Sequence, residues 1–227
     1  MGQLLQRYLV EEDGGNGQVE PGAVIPVKFP DLSALPPELS LLVLSNLNAT
    51  DLCLAACVWD KLGNDEILWQ SLCKSSWGSV SIYQRCRNDP SFSYRKLFLC
   101  LDEATLTFNG DPFKGEEYLI SKGLVDDSPI ELAKFIHTSR KIKAQPRRMY
   151  LDRRRDVLDH VMQLQNYENQ FLPNAMRKLF STISAPAERG SYLEQIIDKF
   201  AERFCNCNPN LGLHKGKLFS YLEGPLF

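Results

Sequence analysis

From Leu35 onward, apolar residues recur at three- and four-residue spacing, which is the period of an amphipathic α-helix. Proline, glycine, asparagine and serine interrupt this spacing at short intervals. Helices this short are not stable in isolation, so they must bury their apolar faces against one another. The sequence therefore predicts an all-α fold built from several short helices.

The segment from Leu35 to Trp77 is rich in Leu and Trp for its length. Pro36-Pro37 suits a first helical turn, and Asn48-Ala49-Thr50 ends the first predicted helix. A unit of about forty residues has too little interior to hide all its large apolar side chains. We therefore expect some of them to be exposed, and exposed apolar patches mark interfaces. The three predicted helices carry Leu39, Leu42, Val43 and Leu47; then Leu52, Ala55, Ala56 and Leu62; then Ile67, Leu68, Trp69 and Leu72.

Several residues of this segment stand in the order of a known motif. They are Leu35-Pro36-Pro37-Glu38-Leu39, Leu44, Leu47, Asp51-Leu52, Cys57-Val58-Trp59 and Leu68-Trp69. This order resembles the F-box, a three-helix unit that binds the Skp-type adaptor of an SCF-type cullin–RING E3 ubiquitin ligase. An ordinary three-helix core remains the alternative interpretation. The resemblance implies adaptor contacts at Leu35, Pro36, Leu39, Leu44, Leu47 and Trp69.

The rest of the chain also predicts helices. Residues 92–101 have the spacing of a packed helix, and Ser128-Pro129-Ile130-Glu131 has the pattern of a capping box. Pro173 is placed to open a further helix, and Ser191-Tyr192-Leu193-Glu194 has the pattern of a second capping box. The stretch from Ser184 to Gly190 is therefore predicted to be a loop between two helices.

A second resemblance begins at Phe108. The residues that carry it are Phe108-Asn109, Pro112, Gly115, Tyr118-Leu119-Ile120, Gly123-Leu124, Ser128-Pro129, Ala133-Lys134-Phe135-Ile136, Tyr150-Leu151, Ala175-Met176-Arg177 and the run from Phe200 to Pro209. Their order resembles the N-terminal half of a Sec7 domain, the exchange module for ADP-ribosylation factor (ARF) GTPases. The resemblance implies an ARF GTPase as a partner.

The Sec7 family uses a loop glutamate that competes with the nucleotide β-phosphate and displaces Mg²⁺. The resemblance implies that Glu188, in Pro186-Ala187-Glu188, is this exchange glutamate. Ala187 replaces the family's glycine, however, and Arg189 follows where it can pair with Glu188. A solvated loop glutamate without a catalytic role is the alternative.

The chain departs from the Sec7 pattern after Pro209. We expect residues 211–227 to be a divergent tail, and we expect the half domain to leave an apolar face uncovered. The predicted organisation is a disordered tail (1–30), an F-box (33–77), a helical connector (78–106), a partial Sec7-like domain (107–210) and this tail. The implied function is a non-enzymatic substrate-recognition adaptor linked to ARF signalling. Two alternatives stay open: an ARF exchange factor impaired by truncation, and a dominant-negative isoform.

Charge and composition exclude other classes of function. The net charge is −2, which gives no field for nucleic acid. No apolar run is long enough to span a bilayer. Cys205 and Cys207 lack a second ligand pair for zinc, so we expect neither metal nor cofactor. Without a visible secretory leader we expect a cytoplasmic protein, with nuclear or peripheral membrane placement as alternatives.

Two features bear on membrane contact. Gly2 is the residue that N-myristoylation modifies, but Gln6 stands where the myristoylation pattern has Ser or Thr. The arginines at 147–148 and 153–155 are predicted to be solvated helix faces, and a phosphoinositide contact is the alternative.

Overall fold

The computed structural model describes residues 31–86, 92–186 and 190–226, and within these ranges every regular element is helical. The all-α prediction is confirmed. The predicted tail 1–30 lies outside the described residues. After a 3₁₀ turn at Leu32–Ala34, the helices are α1 Pro37–Leu44, α2 Ala49–Val58, α3 Asp60–Gly63, α4 Glu66–Trp77, α5 Ser81–Cys86, α6 Tyr94–Gly110, α7 Pro112–Ser121, α8 Pro129–Thr138, α9 Ala144–Arg153, α10 Arg155–Gln163, α11 Leu172–Thr182, α12 Ser191–Cys207 and α13 Lys215–Leu226.

The second predicted helix is two helices in the structure. α2 ends at Val58, Trp59 leaves the helical conformation, and α3 folds back against α2. A Cβ added to Gly63 would lie 2.6 Å from the Cα of Ala56, so this approach requires glycine. The indole Nε1–H of Trp69 donates to the Gly63 carbonyl at 3.0 Å and fixes the end of α3.

α4 and α6 join the N-terminal helices to the remainder of the chain. The Glu66 carboxylate accepts from the backbone N–H of Tyr94 at 2.7 Å and from the Ser93 hydroxyl at 2.9 Å. The rings of Trp69 and Phe98 meet edge to face at 5.8 Å. α6 begins at Tyr94, inside the predicted connector, and continues to Gly110, past the predicted boundary at residue 106.

The following helices pack around α6 and α8. A Cβ on Gly115 of α7 would lie 2.6 Å from the Cα of Phe108, which shows how closely α6 and α7 approach. The rings of Trp77 and Phe135 are stacked, with centroids 5.6 Å apart, and connect α4 to α8. The helix that ends the predicted F-box is therefore part of the same core as the C-terminal helices.

The two predicted capping boxes have different outcomes. The Ser128 hydroxyl accepts from the Glu131 N–H at 3.3 Å, so this cap is confirmed, although the Glu131 carboxylate binds Lys134 at 2.7 Å. The prediction of a capping box at Ser191 is wrong. α12 begins at Ser191 itself with Gly190 as its N-cap, so the serine side chain lies one position too late to cap the first turn.

The predicted divergent tail contains α13. Leu218 and Leu222 are buried, and the Lys215 ammonium group pairs with Asp198 at 2.9 Å and with Glu202 at 3.4 Å on α12. Sequence reasoning did not identify this helix. The i, i+4 spacing of Leu218 and Leu222 was the available signal.

Candidate functional site

A continuous row of exposed apolar side chains lies along α1 and the residue pair before it. Leu39, Leu42 and Val43 are separated by three and four positions, which places them on one side of α1, and the exposed Leu35 lies just before the helix in extended backbone. We call this row the α1 face. Ser40 and Leu44, on the opposite side of α1, are buried. A helix that is apolar on both sides needs a second partner surface in addition to its own core.

Exposed apolar side chains continue on the neighbouring helices. Leu54 and Val58 are one turn apart on α2, and Ile67 lies in the first turn of α4. All three are exposed. Sequence reasoning did not name these residues as contacts. The segment from Leu35 to Trp77 has more large apolar residues than its small core can bury, and this excess predicted that some of them would be exposed.

Specific hydrogen bonds fix the position of α1. The Ser40 hydroxyl donates to the Leu32 carbonyl at 2.7 Å, which ties the 3₁₀ turn to the helix. The Trp59 Nε1–H donates to the Asp31 carboxylate at 2.9 Å, which connects this turn to the end of α2. Asn48 accepts from the Asp51 N–H at 3.0 Å and thereby caps α2. Hydrogen bonds to the 3₁₀ turn therefore hold the helix that carries the α1 face in a fixed position.

The structure separates the predicted adaptor contacts into two groups. Leu35, Pro36 and Leu39 are exposed, and Leu47 is half-buried. Leu44 is 2% exposed and Trp69 is 0% exposed, so both belong to the core in this structure. Neither side chain offers accessible surface to a partner in this structure.

The predicted exchange loop lies between α11 and α12. Glu188 falls outside the described residues, so its role stays a prediction. The start of the connection is held from α9: Arg147 donates to the Thr182 carbonyl at 2.8 Å, and Arg148 donates to the Ala185 carbonyl at 3.4 Å.

The prediction that the arginines of α9 and α10 are solvated faces is wrong for most of them. Arg147 is partly buried, and burial lowers the pKa of its guanidinium. Arg155 is partly buried and lies over the Tyr192 ring at 4.7 Å, whereas Arg153 is exposed, as predicted, with its guanidinium 5.4 Å from the Phe113 ring. Arg154 pairs with Glu116 and, at 2.9 Å, with Asp156. Arg147, Arg154 and Arg155 therefore have partners within the described part of the chain.

Two structural searches give negative results for the described part of the chain. None of its helices has both the length and the apolar character needed to cross a bilayer. In residues 31–86, 92–186 and 190–226 there is no cluster of three His, Cys, Asp or Glu side chains that would hold a metal ion.

Comparison with known proteins gives matches to two families. The family described as Sec7 domain matches residues 99–222, and the family described as F-box-like matches residues 32–75. The Sec7 match thus includes α6 from Leu99 onward and much of α13.

Several individual proteins are similar to this chain. F-box only protein 8 of Homo sapiens and that of Bos taurus are each 59% identical over 184 residues, which is 81% of this chain and 57% of the relative. The chain therefore spans little more than half the length of these curated relatives. Brefeldin A-inhibited guanine nucleotide-exchange protein 3 of Arabidopsis thaliana is 35% identical over 119 residues, which is 51% of this chain and 7% of that protein. Among solved structures, the Sec7p catalytic domain has a TM-score of 0.49 at 26% identity, covering 53% of this chain and 68% of that one.

Proposed function

This chain belongs to the Sec7 domain family and carries an F-box-like module ahead of that domain, and from this combination we propose that it is a non-enzymatic adaptor of an SCF-type cullin–RING ubiquitin ligase. The F-box-like module binds the Skp-type adaptor, and the Sec7 domain selects a target connected with ARF GTPases. Ubiquitin transfer then takes place on the partner ligase.

The observation that carries this proposal is the α1 face. Three large apolar side chains lie on one side of α1 and Leu35 lies just before it, whereas the other side of the helix is already packed. Burying one such side chain in an interface contributes about 1.5–3 kcal/mol. A row of four supplies enough free energy to hold a protein partner, while the row itself contains no group that performs chemistry.

The connection between the two parts also supports an adaptor. Glu66, Trp69 and Trp77 join α4 to α6 and α8, so the module and the Sec7 domain share one core. An adaptor must hold its target at a defined place relative to the ligase, and this packing gives the chain that rigidity.

Co-expression with a Skp-type adaptor tests the proposal. We expect a stoichiometric complex from wild type and its loss in Leu39→Asp and Leu42→Asp, because a carboxylate cannot be buried in an apolar interface. Leu106→Asp on α6 is the matched control, since Leu106 is 65% exposed and Leu42 is 63% exposed. Leu44→Asp is unsuitable because it would disrupt the core. A complex that survives both α1 substitutions with unchanged yield would contradict the proposal.

A second candidate function is nucleotide exchange on an ARF GTPase, with Glu188 as the acting residue. It is supported by membership of the Sec7 family and by the position of residue 188 between α11 and α12. The same preparations distinguish the two functions in an exchange assay. Exchange catalysed by wild type and lost in Glu188→Lys, with adaptor binding unchanged, favours the second candidate. A chain that binds the ligase adaptor but delivers no target would be dominant-negative.

A further inference from the structure

An apolar groove of about 670 Å³ lies between the start of α11 and α13. Phe171 and Tyr221 border it and are 74% and 69% exposed, which is high for aromatic side chains. Leu172, Met176, Leu213 and Leu218 also line it. The groove is distant in sequence from the α1 face, and the proposed adaptor function does not use it.

The groove is continuous with a second cleft on the surface. It shares Phe171, Leu172 and Leu213 with this cleft beside the turn at Pro209–Leu211, where Leu211 is also exposed. The second cleft thus adds Leu211 to the apolar lining and has polar residues such as Glu168 and Asn210 on its border. Such a shape fits the apolar side of a short helix.

Residues 1–30 of the chain contain a segment with the matching pattern. Leu4, Leu5, Tyr8 and Leu9 are spaced so that they would share one side of a helix. The opposite side would carry Gln3, Gln6 and Arg7. We propose that residues 4–10 of this chain occupy the groove between α11 and α13.

The length of the intervening chain permits this contact. Residues 11–30 separate the segment from Asp31 and include Gly14, Gly15, Gly17 and Gly22. Fully extended, twenty residues span at most about 70 Å, and a domain of about 200 residues has a radius of gyration of about 17 Å. This length lets residues 4–10 reach a distant part of the surface while the chain stays joined to Asp31, and such tethering gives an effective concentration up to the order of millimolar.

Charge complementarity favours this occupant and its direction. Glu11, Glu12 and Asp13 follow the apolar segment directly. Lys217 lines the groove, is exposed, and forms no ion pair with any described residue. The segment therefore lies with its acidic end towards Lys217.

Peptide competition on the full chain tests the proposal. The probe is a fluorescent peptide of residues 1–13, and its binding is measured by anisotropy to wild type and to a Leu5→Asp/Tyr8→Asp variant. We expect at least about tenfold tighter binding to the variant, because the tethered segment of wild type competes at millimolar effective concentration. Adding Tyr221→Asp or Phe171→Asp to the variant should abolish peptide binding, whereas adding Leu106→Asp should not.

Every other outcome overturns the proposal. Absence of peptide binding to the variant, or equal binding to both proteins, would show that residues 4–10 do not compete for the groove. Dimerisation of wild type that is lost in Tyr221→Asp would assign the groove to a second copy of the chain. All substituted side chains in the groove are exposed, so thermal melting separates loss of binding from loss of folding.

Discussion

Arg147 shows how one side chain fixes the connection between several helices. Its guanidinium donates to the carbonyls of Thr182, Ile142 and Ser139, at 2.8, 3.0 and 3.2 Å. These carbonyls belong to the last turn of α11 and to the segment after α8. A planar guanidinium with several fixed donors suits three acceptors in different directions.

We predict that Arg147→Lys destabilises the protein by about 2–4 kcal/mol, because an ammonium group cannot reach all three carbonyls and leaves buried acceptors unpaired. Urea unfolding measures the change. Arg148→Lys is the control. Within the described residues Arg148 makes one side-chain hydrogen bond, of 3.4 Å, so we expect a change within about 0.5 kcal/mol. Equal effects at the two positions would contradict this role of Arg147.

The arginines also mark a limit of sequence reasoning at the residue scale. Arg147, Arg154 and Arg155 stand in polar, charged segments, so their pattern predicts solvated faces. Their acceptors and aromatic rings come from positions up to 40 residues away, as in the bond from Arg155 to Gln195. Local spacing carries no information about such partners.

At the scale of elements, the close approach of α6 and α7 depends on Gly115. This glycine lies over the backbone of Phe108, and any side chain there would meet main-chain atoms that cannot move aside. Phe108 is itself buried against Tyr150 at a ring separation of 5.1 Å. A side chain at position 115 would therefore disturb both the packing of α6 on α7 and the contact of Phe108 with α9.

We predict that Gly115→Ala lowers the free energy of unfolding by about 1–3 kcal/mol, the usual cost of overpacking a core. Gly110→Ala is the matched control, because nothing lies within 4 Å of a Cβ added there. Alanine at the end of α6 should be neutral or stabilising by up to about 1 kcal/mol. Thermal melting of both variants checks the pair, and similar melting temperatures would refute the packing argument.

At the scale of the whole molecule, α4 belongs to two regions at once. Leu68 and Trp69 lie in the core of the N-terminal helices, whereas Trp77 stacks on Phe135 of α8. The Ser79 and Thr138 hydroxyls are hydrogen bonded at 2.5 Å just beyond that stack. The two family-like regions are therefore expected to unfold together.

We predict that Trp77→Ala lowers the free energy of unfolding by about 3–5 kcal/mol. The hydrogen-exchange protection factors of the α4 amides and of the α8 amides should fall equally. Native-state hydrogen exchange measures both helices in one experiment. Leu106→Ala, at an exposed site, should leave both unchanged. Loss of protection in α8 alone would show two independently folding units.

The sequence by itself determined the fold class, both family resemblances and several helix starts, because helical periodicity and a cap such as Ser128 are local. Only the tertiary structure decided that Leu44 and Trp69 are buried while Leu39, Leu42 and Val43 are exposed. On an apolar helix, periodicity cannot tell which side meets the core. The break at Trp59, the burial of Arg147 and the packing of α13 likewise depend on partners distant in sequence, and such contacts exist only once the chain has folded.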